Sequence, residues 1–149
     1  MQRFKKIDDN VFVGPQPTAS DLQEAKQEGV ATIVDFRMPA ETSTSNEEMV
    51  KRCGLDYVNI PVNKEALSTD QIAQLDEVMR SKNGPFLLHC ATGARAVMLY
   101  ALNDARKRQA SAQETFDTAK SMGFDLQGSP QFASFVVTAT AQPHRDMQA

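Results

Sequence analysis

The sequence predicts an α/β fold: three layers, with a mostly parallel four- to five-stranded sheet flanked by helices. Two observations carry this. Short β-branched or apolar runs alternate with segments of helical periodicity along the chain, the pattern of strand–helix–strand units. Capping and turn residues punctuate most junctions between them.

The elements follow in order. Val11–Val13 is a short apolar run stopped by Gly14-Pro15. Thr18, Ser20 and Asp21 offer caps for a helix to about Glu28, ended by Gly29. Val30–Phe36 reads as a buried parallel strand, and Arg37–Thr44 as a loop. Ser45 with Glu48 forms a capping box for a helix to about Cys53. Asp56–Val62 gives a third strand, broken by Pro61. Ser68 with Gln71 opens a helix whose Ile72, Leu75 and Met79 share a face, and Asn83-Gly84 closes it. Pro85–His89 is a fourth strand, and Ala94 to about Arg108 is helical. Ser111 with Glu114 caps a helix bearing Phe116, Ala119 and Met122 on one side. Ser129-Pro130 starts the last helix, with proline in its first turn. Residues 1–141 read as one domain and 142–149 as a polar tail.

Composition narrows the function. The chain has 149 residues, 41% of them apolar and 23% charged, which suits a single globular domain. The net charge of -3 and pI near 5.4 give no basic stripe, so no nucleic-acid partner is expected. No apolar run approaches about 18 residues, and no membrane span is expected. Met1–Asn10 is charged and lacks the apolar centre of a signal peptide. The expected location is the cytoplasm, or the periplasm if a signal was removed. The two cysteines, Cys53 and Cys90, are too few for a disulfide framework. Cys53 reads as a small buried hydrophobe, with a resolving thiol for Cys90 as the alternative. No metal or other cofactor is expected: Cys90 has no second ligand at metal spacing, and His144 lies in the tail.

The sharpest chemistry lies in Phe86-Leu87-Leu88-His89-Cys90-Ala91-Thr92-Gly93-Ala94-Arg95. A buried strand delivers the cysteine to a sheet edge, a tight loop follows, and a helix begins. Backbone N–H groups of Ala91, Thr92, Gly93, Ala94 and Arg95 and the positive helix end then suit an anion. Gly93 permits the turn, and Arg95 offers a planar fork for two oxygens. A cysteine at a helix N-terminus near arginine titrates at about 3.5–7.5 rather than about 8.5, so Cys90 is the candidate nucleophile.

The loop from His89 to Arg95 resembles the phosphate-binding loop of cysteine-dependent phosphatases of the protein tyrosine phosphatase type. Val13-Gly14-Pro15-Gln16-Pro17-Thr18, the stretch Gly29 to Arg37, Glu41, and Tyr57-Val58-Asn59-Ile60-Pro61-Val62 resemble the beta-lactamase-hydrolase-like, phosphatase-like family, over about residues 5–130. The resemblance implies a protein tyrosine phosphatase-like sheet and hydrolysis of phosphomonoesters, phosphotyrosine-like or small aryl phosphates. A phosphorylated protein or a small-molecule phosphate would be the partner. Cys90 would attack phosphorus, Arg95 would hold the equatorial oxygens, and His89 would orient the loop and tune the thiolate.

Three features depart from the phosphatase pattern. Four residues separate Cys90 from Arg95, where large tyrosine phosphatases have five; the shorter loop is usual in this family and in single-domain rhodaneses. Ala96 stands where active phosphatases carry Ser or Thr. Related phosphatases place an aspartic general acid in the loop after the third strand, and that loop here, Asn63 to Asp70, offers no clear counterpart. Glu65 is the first candidate for that acid and Asp70 the second, against a solvated loop carboxylate and a helix-capping acid respectively. Arg37 either widens the anion site or pairs with Asp35 or Glu41. Gln16 could touch the loop. Alternative functions are a rhodanese-like sulfurtransferase, echoed in Asp35-Phe36-Arg37, and a catalytically weak phosphate-binding module.

Overall fold

The computed structural model describes residues 3–41 and 46–141. Five strands form one sheet in the order β1-β2-β5-β3-β4: β1 (Lys5–Asp8), β2 (Val11–Gly14), β3 (Thr32–Asp35), β4 (Asp56–Asn59) and β5 (Phe86–His89). β1 runs antiparallel to β2 at the edge, and the other pairings are parallel. This is the mostly parallel sheet the alternation predicts.

Strand alternation splits the core in two. Val11, Val13, Val34, Phe86 and Leu88 face one side, while Phe12, Ile33 and Leu87 face the other. Period-2 alternation puts successive side chains on opposite faces. The first face is covered by α3 (Thr69–Ser81), α4 (Ala94–Arg108), α5 (Ala112–Ser121) and α6 (Pro130–Ala141). The second is covered by α1 (Ala19–Gln27) and α2 (Asn46–Arg52), through Leu22, Ala25 and Val50.

Caps fix where the helices begin. Thr18 with Asp21, Ser68 with Gln71, and Ser111 with Glu114 each form a reciprocal capping box, satisfying N–H groups that a helix start leaves unpaired. The box expected from Ser45, and the tail from Gln142 that includes His144, lie outside the described residues.

Two strands are shorter than predicted. Val30 and Phe36 flank β3, and Ile60 and Val62 follow β4; all four are buried but lie beyond the ladder. Phe36, Ile60 and Val62 still donate backbone N–H groups to the neighbouring segment, to the carbonyls of His89, Asp35 and Phe36 at 2.9, 2.9 and 3.0 Å, so their apolar character reflects burial where the pairing frays. β1 was not predicted, because Lys5, Lys6 and Asp8 give it a polar edge with no apolar run.

The register decides between the two readings of Cys53. Asp56, Thr32 and Phe86 align where the parallel strands begin, and Asn59, Asp35 and His89 where they end. Cys53 precedes the first row and Cys90 follows the second. Four residues at about 3.3 Å each place roughly 13 Å of sheet between the two edges, whereas a disulfide needs Cα atoms within about 7 Å. Cys53 is therefore not a resolving thiol for Cys90 in this fold; it packs partly buried against the α1–α2 core.

Candidate active site

Cys90 leaves β5 at the carboxyl edge of the sheet and is fully buried. The loop closes back on its sulfur: the Gly93 N–H donates to Cys90 Sγ at 3.1 Å. Gly93 has φ 107°, and a Cβ there would lie 2.9 Å from the Phe124 ring and 3.3 Å from the Gly14 carbonyl carbon. Positive φ and lack of room both require glycine at this turn. Gln16 does touch the loop, donating its backbone N–H to the Ala91 carbonyl at 3.2 Å. The Thr92 hydroxyl accepts from the Ala94 N–H at 3.4 Å, and α4 begins at Ala94. Ala96, one residue past Arg95, is buried and brings no hydroxyl.

Arg95 reaches back across the cleft to a residue 54 positions earlier. Its Nη1 and Nη2 donate to the two oxygens of Glu41, at 2.8 and 2.6 Å. Nη1 also donates to the Val62 carbonyl at 3.0 Å. A guanidinium carries five N–H donors. Both Nη1 hydrogens and one on Nη2 are thus engaged, and the other two, on Nε and Nη2, share one edge of the plane. That edge is the geometry for a bidentate grip on an oxyanion. The Glu41 hydrogen bond raises the Arg95 pKa, burial opposes this, and the charge of Cys90 and a side-chain hydrogen bond with it add to the rise. In return Arg95 lowers the Glu41 pKa, burial working against it. The Met38 N–H also donates to Glu41 Oε2 at 2.6 Å, so the carboxylate is held at both ends.

His89 is fully buried beside the sheet edge. Its Nδ1 lies 3.4 Å from the Cys90 carbonyl and 3.9 Å from Asp35 Oδ1, and its Nε2 is 3.2 Å from Asn46 Nδ2. Burial pushes its pKa down to about 4, although the Asp35 charge pulls the other way, so the ring is neutral at pH 7. Asp35 is the hub behind it. It accepts from Arg37 Nε and Nη2 at 2.9 Å each, from the Arg37 backbone N–H, and from the Tyr57 hydroxyl at 2.7 Å. Burial penalises the carboxylate, but these donors and the His89 charge together hold its pKa below the usual value. Arg37 therefore faces the interior in an ion pair with Asp35. Of the two readings of Arg37, the structure shows the pair with Asp35, and the side chain is only 2% exposed.

A cleft of about 450 Å³ opens beside the loop, lined by Glu41, Glu65, Thr92, Ala94, Arg95 and Phe132 among others. Lys64 stands over the Phe132 ring, 5.1 Å from its centroid, a cation–π contact at the rim. Glu65 shares the cleft with Arg95, with its Oε1 3.4 Å from Gln131 Nε2. Asp70 does not line the cleft. It sits in the first turn of α3, its N–H donating to the Ser68 hydroxyl, where an acid favours the helix start. Two residues of the site were not predicted in their roles: Glu41 as the partner of Arg95, and Asn46 as the partner of His89. Among the described residues, no group of three or more His, Cys, Asp or Glu side chains is placed to hold a metal ion. No helix of these residues is long and apolar enough to cross a membrane.

A sheet whose carboxyl edge carries a cysteine-to-arginine loop running into a helix is the architecture of a protein tyrosine phosphatase-like fold. The family model for the beta-lactamase hydrolase-like protein, phosphatase-like domain, matches residues 3–107, and the chain belongs to that family. It is 27% identical to a beta-lactamase hydrolase-like protein of Agrobacterium fabrum over 126 residues, covering 81% of this chain and 29% of that relative. A Xylella fastidiosa relative of the same description is 25% identical over 129 residues, covering 83% of this chain and 30% of the relative. The chain thus spans less than a third of these relatives' length. Among solved structures, a DUF442 phosphatase candidate from Shewanella putrefaciens CN-32 superposes with TM-score 0.78 at 18% identity, covering 95% of this chain and 91% of that one. Pseudomonas aeruginosa TpbA, in complex with pTyr, superposes with TM-score 0.70 at 14% identity, covering 94% and 91%. The core catalytic domain of a PP-IP phosphatase from Saccharomyces cerevisiae, in complex with citrate, gives TM-score 0.74 at 16% identity, covering 97% and 86%. These likenesses establish the shared fold.

Proposed function

We propose that the chain is a cysteine-dependent phosphatase that hydrolyses phosphomonoesters through a phosphocysteine intermediate on Cys90. The observation that carries this reading is the closure of the loop on Cys90 Sγ by the Gly93 N–H, with the Arg95 side chain interacting with the same cysteine. The Cys90 thiolate attacks phosphorus, the P–S bond forms, and the P–O bond to the leaving group breaks. Arg95 and the amides of Ala91 to Arg95 hold the phosphoryl oxygens, supplying charge stabilisation where it develops. Glu65 gives a proton to the leaving oxygen. It then takes one from the water that cleaves the P–S bond and releases phosphate. The domain responsible is residues 1–141.

The partner is a phosphorylated protein or a small-molecule phosphate. The pTyr complex of TpbA supports a phosphotyrosine-like group. Ala96 supplies no hydroxyl to help the thiolate leave, so breakdown of the phosphocysteine is the slow step. That same feature favours one second reading, a phosphate-binding module of little turnover.

Hydrolysis of p-nitrophenyl phosphate from pH 5 to 8, wild type beside Cys90→Ser, separates the two readings. Turnover in wild type alone supports the phosphatase. Inert wild type that is nevertheless thermally stabilised by phosphate leaves the binding module, and turnover of thiosulfate with cyanide would replace both with sulfur transfer. Glu65→Gln should slow an alkyl phosphate by roughly 10²–10⁴-fold and an aryl phosphate less, because a phenolate leaves with less need of a proton; equal small losses for both would remove Glu65 from the mechanism.

A further inference from the structure

His89 is enclosed by partners that dictate which nitrogen carries its proton. Nδ1 faces two oxygens, the Cys90 carbonyl at 3.4 Å and Asp35 Oδ1 at 3.9 Å. A neutral imidazole has one N–H and one lone pair, and a lone pair at Nδ1 would confront both oxygens. The proton therefore belongs on Nδ1, and Nε2 needs a donor. Among the described residues, the donor at Nε2 is Asn46 Nδ2, 3.2 Å away on α2. Asn46 is buried and its Oδ1 has no partner. Leaving a buried amide oxygen unsatisfied costs free energy, and turning the amide over would set that oxygen against the lone pair of Nε2.

The consequence reaches the loop. In a planar trans peptide the carbonyl and the following N–H point in opposite directions. Anchoring the Cys90 carbonyl on His89 sends the Ala91 N–H the other way, toward the anion side of the loop. The Gln16 N–H on the Ala91 carbonyl does the same for the Thr92 N–H.

We infer that Asn46 is a positioning residue that selects the Nδ1–H tautomer of His89 and thereby fixes the peptide orientation of the Cys90–Arg95 loop. The tautomer stands on geometry alone, and its catalytic consequence rests on the phosphatase reading. Asn46 touches no reacting atom; it acts through His89.

Long-range ¹H–¹⁵N NMR reads the tautomer directly. The chain has two histidines, His89 and His144, and His144→Gln assigns the signals. At pH 7 the wild type should show a protonated Nδ1 and an unprotonated Nε2 on His89; a protonated Nε2 overturns the inference. In Asn46→Asp the carboxylate can only accept, so Nε2 should become protonated. The kcat for p-nitrophenyl phosphate should fall roughly tenfold to a hundredfold, the scale of a small misplacement at a reacting centre. Asn46→Leu removes the donor without adding charge and should lower kcat in the same direction. If Asn46→Asp does not fold, the wild-type spectrum and Asn46→Leu decide. A kcat within twofold of wild type in Asn46→Leu overturns the positioning role. If wild type turns over no phosphate ester, the phosphatase reading fails, and the spectrum still decides the tautomer. The loop is then read by phosphate affinity, which Asn46→Leu should weaken and whose constancy would overturn the role.

Discussion

The two ends of the Cys90–Arg95 loop are held in different ways. The cysteine end rests on a buried network in which Asp35, Arg37 and His89 are at most 2% exposed and nearly every polar group has a partner. The arginine end is held by one carboxylate and one carbonyl, with the Arg95 and Glu41 side chains 15% and 33% exposed. Ion pairs removed from water are costly to break, whereas water and salt weaken those at the rim. The cysteine end is thus preset by the fold, while the arginine end is partly exposed and held by fewer partners.

The sharpest way to break this contrast is Asp35→Asn. It leaves the buried Arg37 guanidinium without its counter-charge and should cost about 3–5 kcal/mol of stability, read by chemical denaturation. A loss below about 1 kcal/mol would mean that the cysteine end is no better insulated than the rim.

Acid should act on the same end. The folded pKa of His89 is depressed from 6.5 to about 4, so between these values the unfolded chain binds more protons. Stability is then fully present above about pH 6.5 and falls as pH drops toward 4, by on the order of 3 kcal/mol in total. Asp35 is also depressed, and its contribution fades at still lower pH, through its folded pKa. Melting temperatures from pH 7 to pH 4 should fall, and His89→Gln should flatten the slope. An unchanged slope would move the acid sensitivity elsewhere.

The rim should respond least. Glu41→Gln keeps one hydrogen bond to Arg95 but removes the charge, and stability should change by less than about 1 kcal/mol. Its effect should show instead in salt dependence. With a cationic charge uncovered in the cleft, KM for a phosphate dianion should rise more steeply with ionic strength than in wild type. A large stability loss together with an unchanged salt profile would reverse the assignment of the two ends.

The sequence revealed what is local. The capping boxes at Thr18, Ser68 and Ser111 are complete within four residues, and Cys90, Gly93 and Arg95 lie on one short turn, so their chemistry could be read from spacing. β1 was illegible because its pairing with β2, rather than its own apolar content, makes it a strand. Phe36 and Val62 extended the predicted strands because both are buried and keep strand-like backbone hydrogen bonds, to the carbonyls of His89 and Phe36, just past the ends of the ladder. The partners of the site were hidden for a different reason. Glu41 and Arg95 are 54 residues apart, and Asn46 and His89 are 43 apart; only the parallel order β5-β3-β4 brings the segment after β3 against the loop after β5. Arg37 was placed correctly at the sheet edge, but which of its possible partners it takes depends on the buried position of Asp35.

The most direct test of the central claim is to trap the intermediate. Wild-type protein mixed with an aryl phosphate and quenched in acid within the first turnover should carry one phosphoryl group on Cys90, located by peptide mass spectrometry. Cys90→Ser should carry no phosphorylated cysteine and show no turnover. Hydrolysis that persists in Cys90→Ser, or a phosphoryl group found on another residue, would contradict the assignment of Cys90 as the nucleophile.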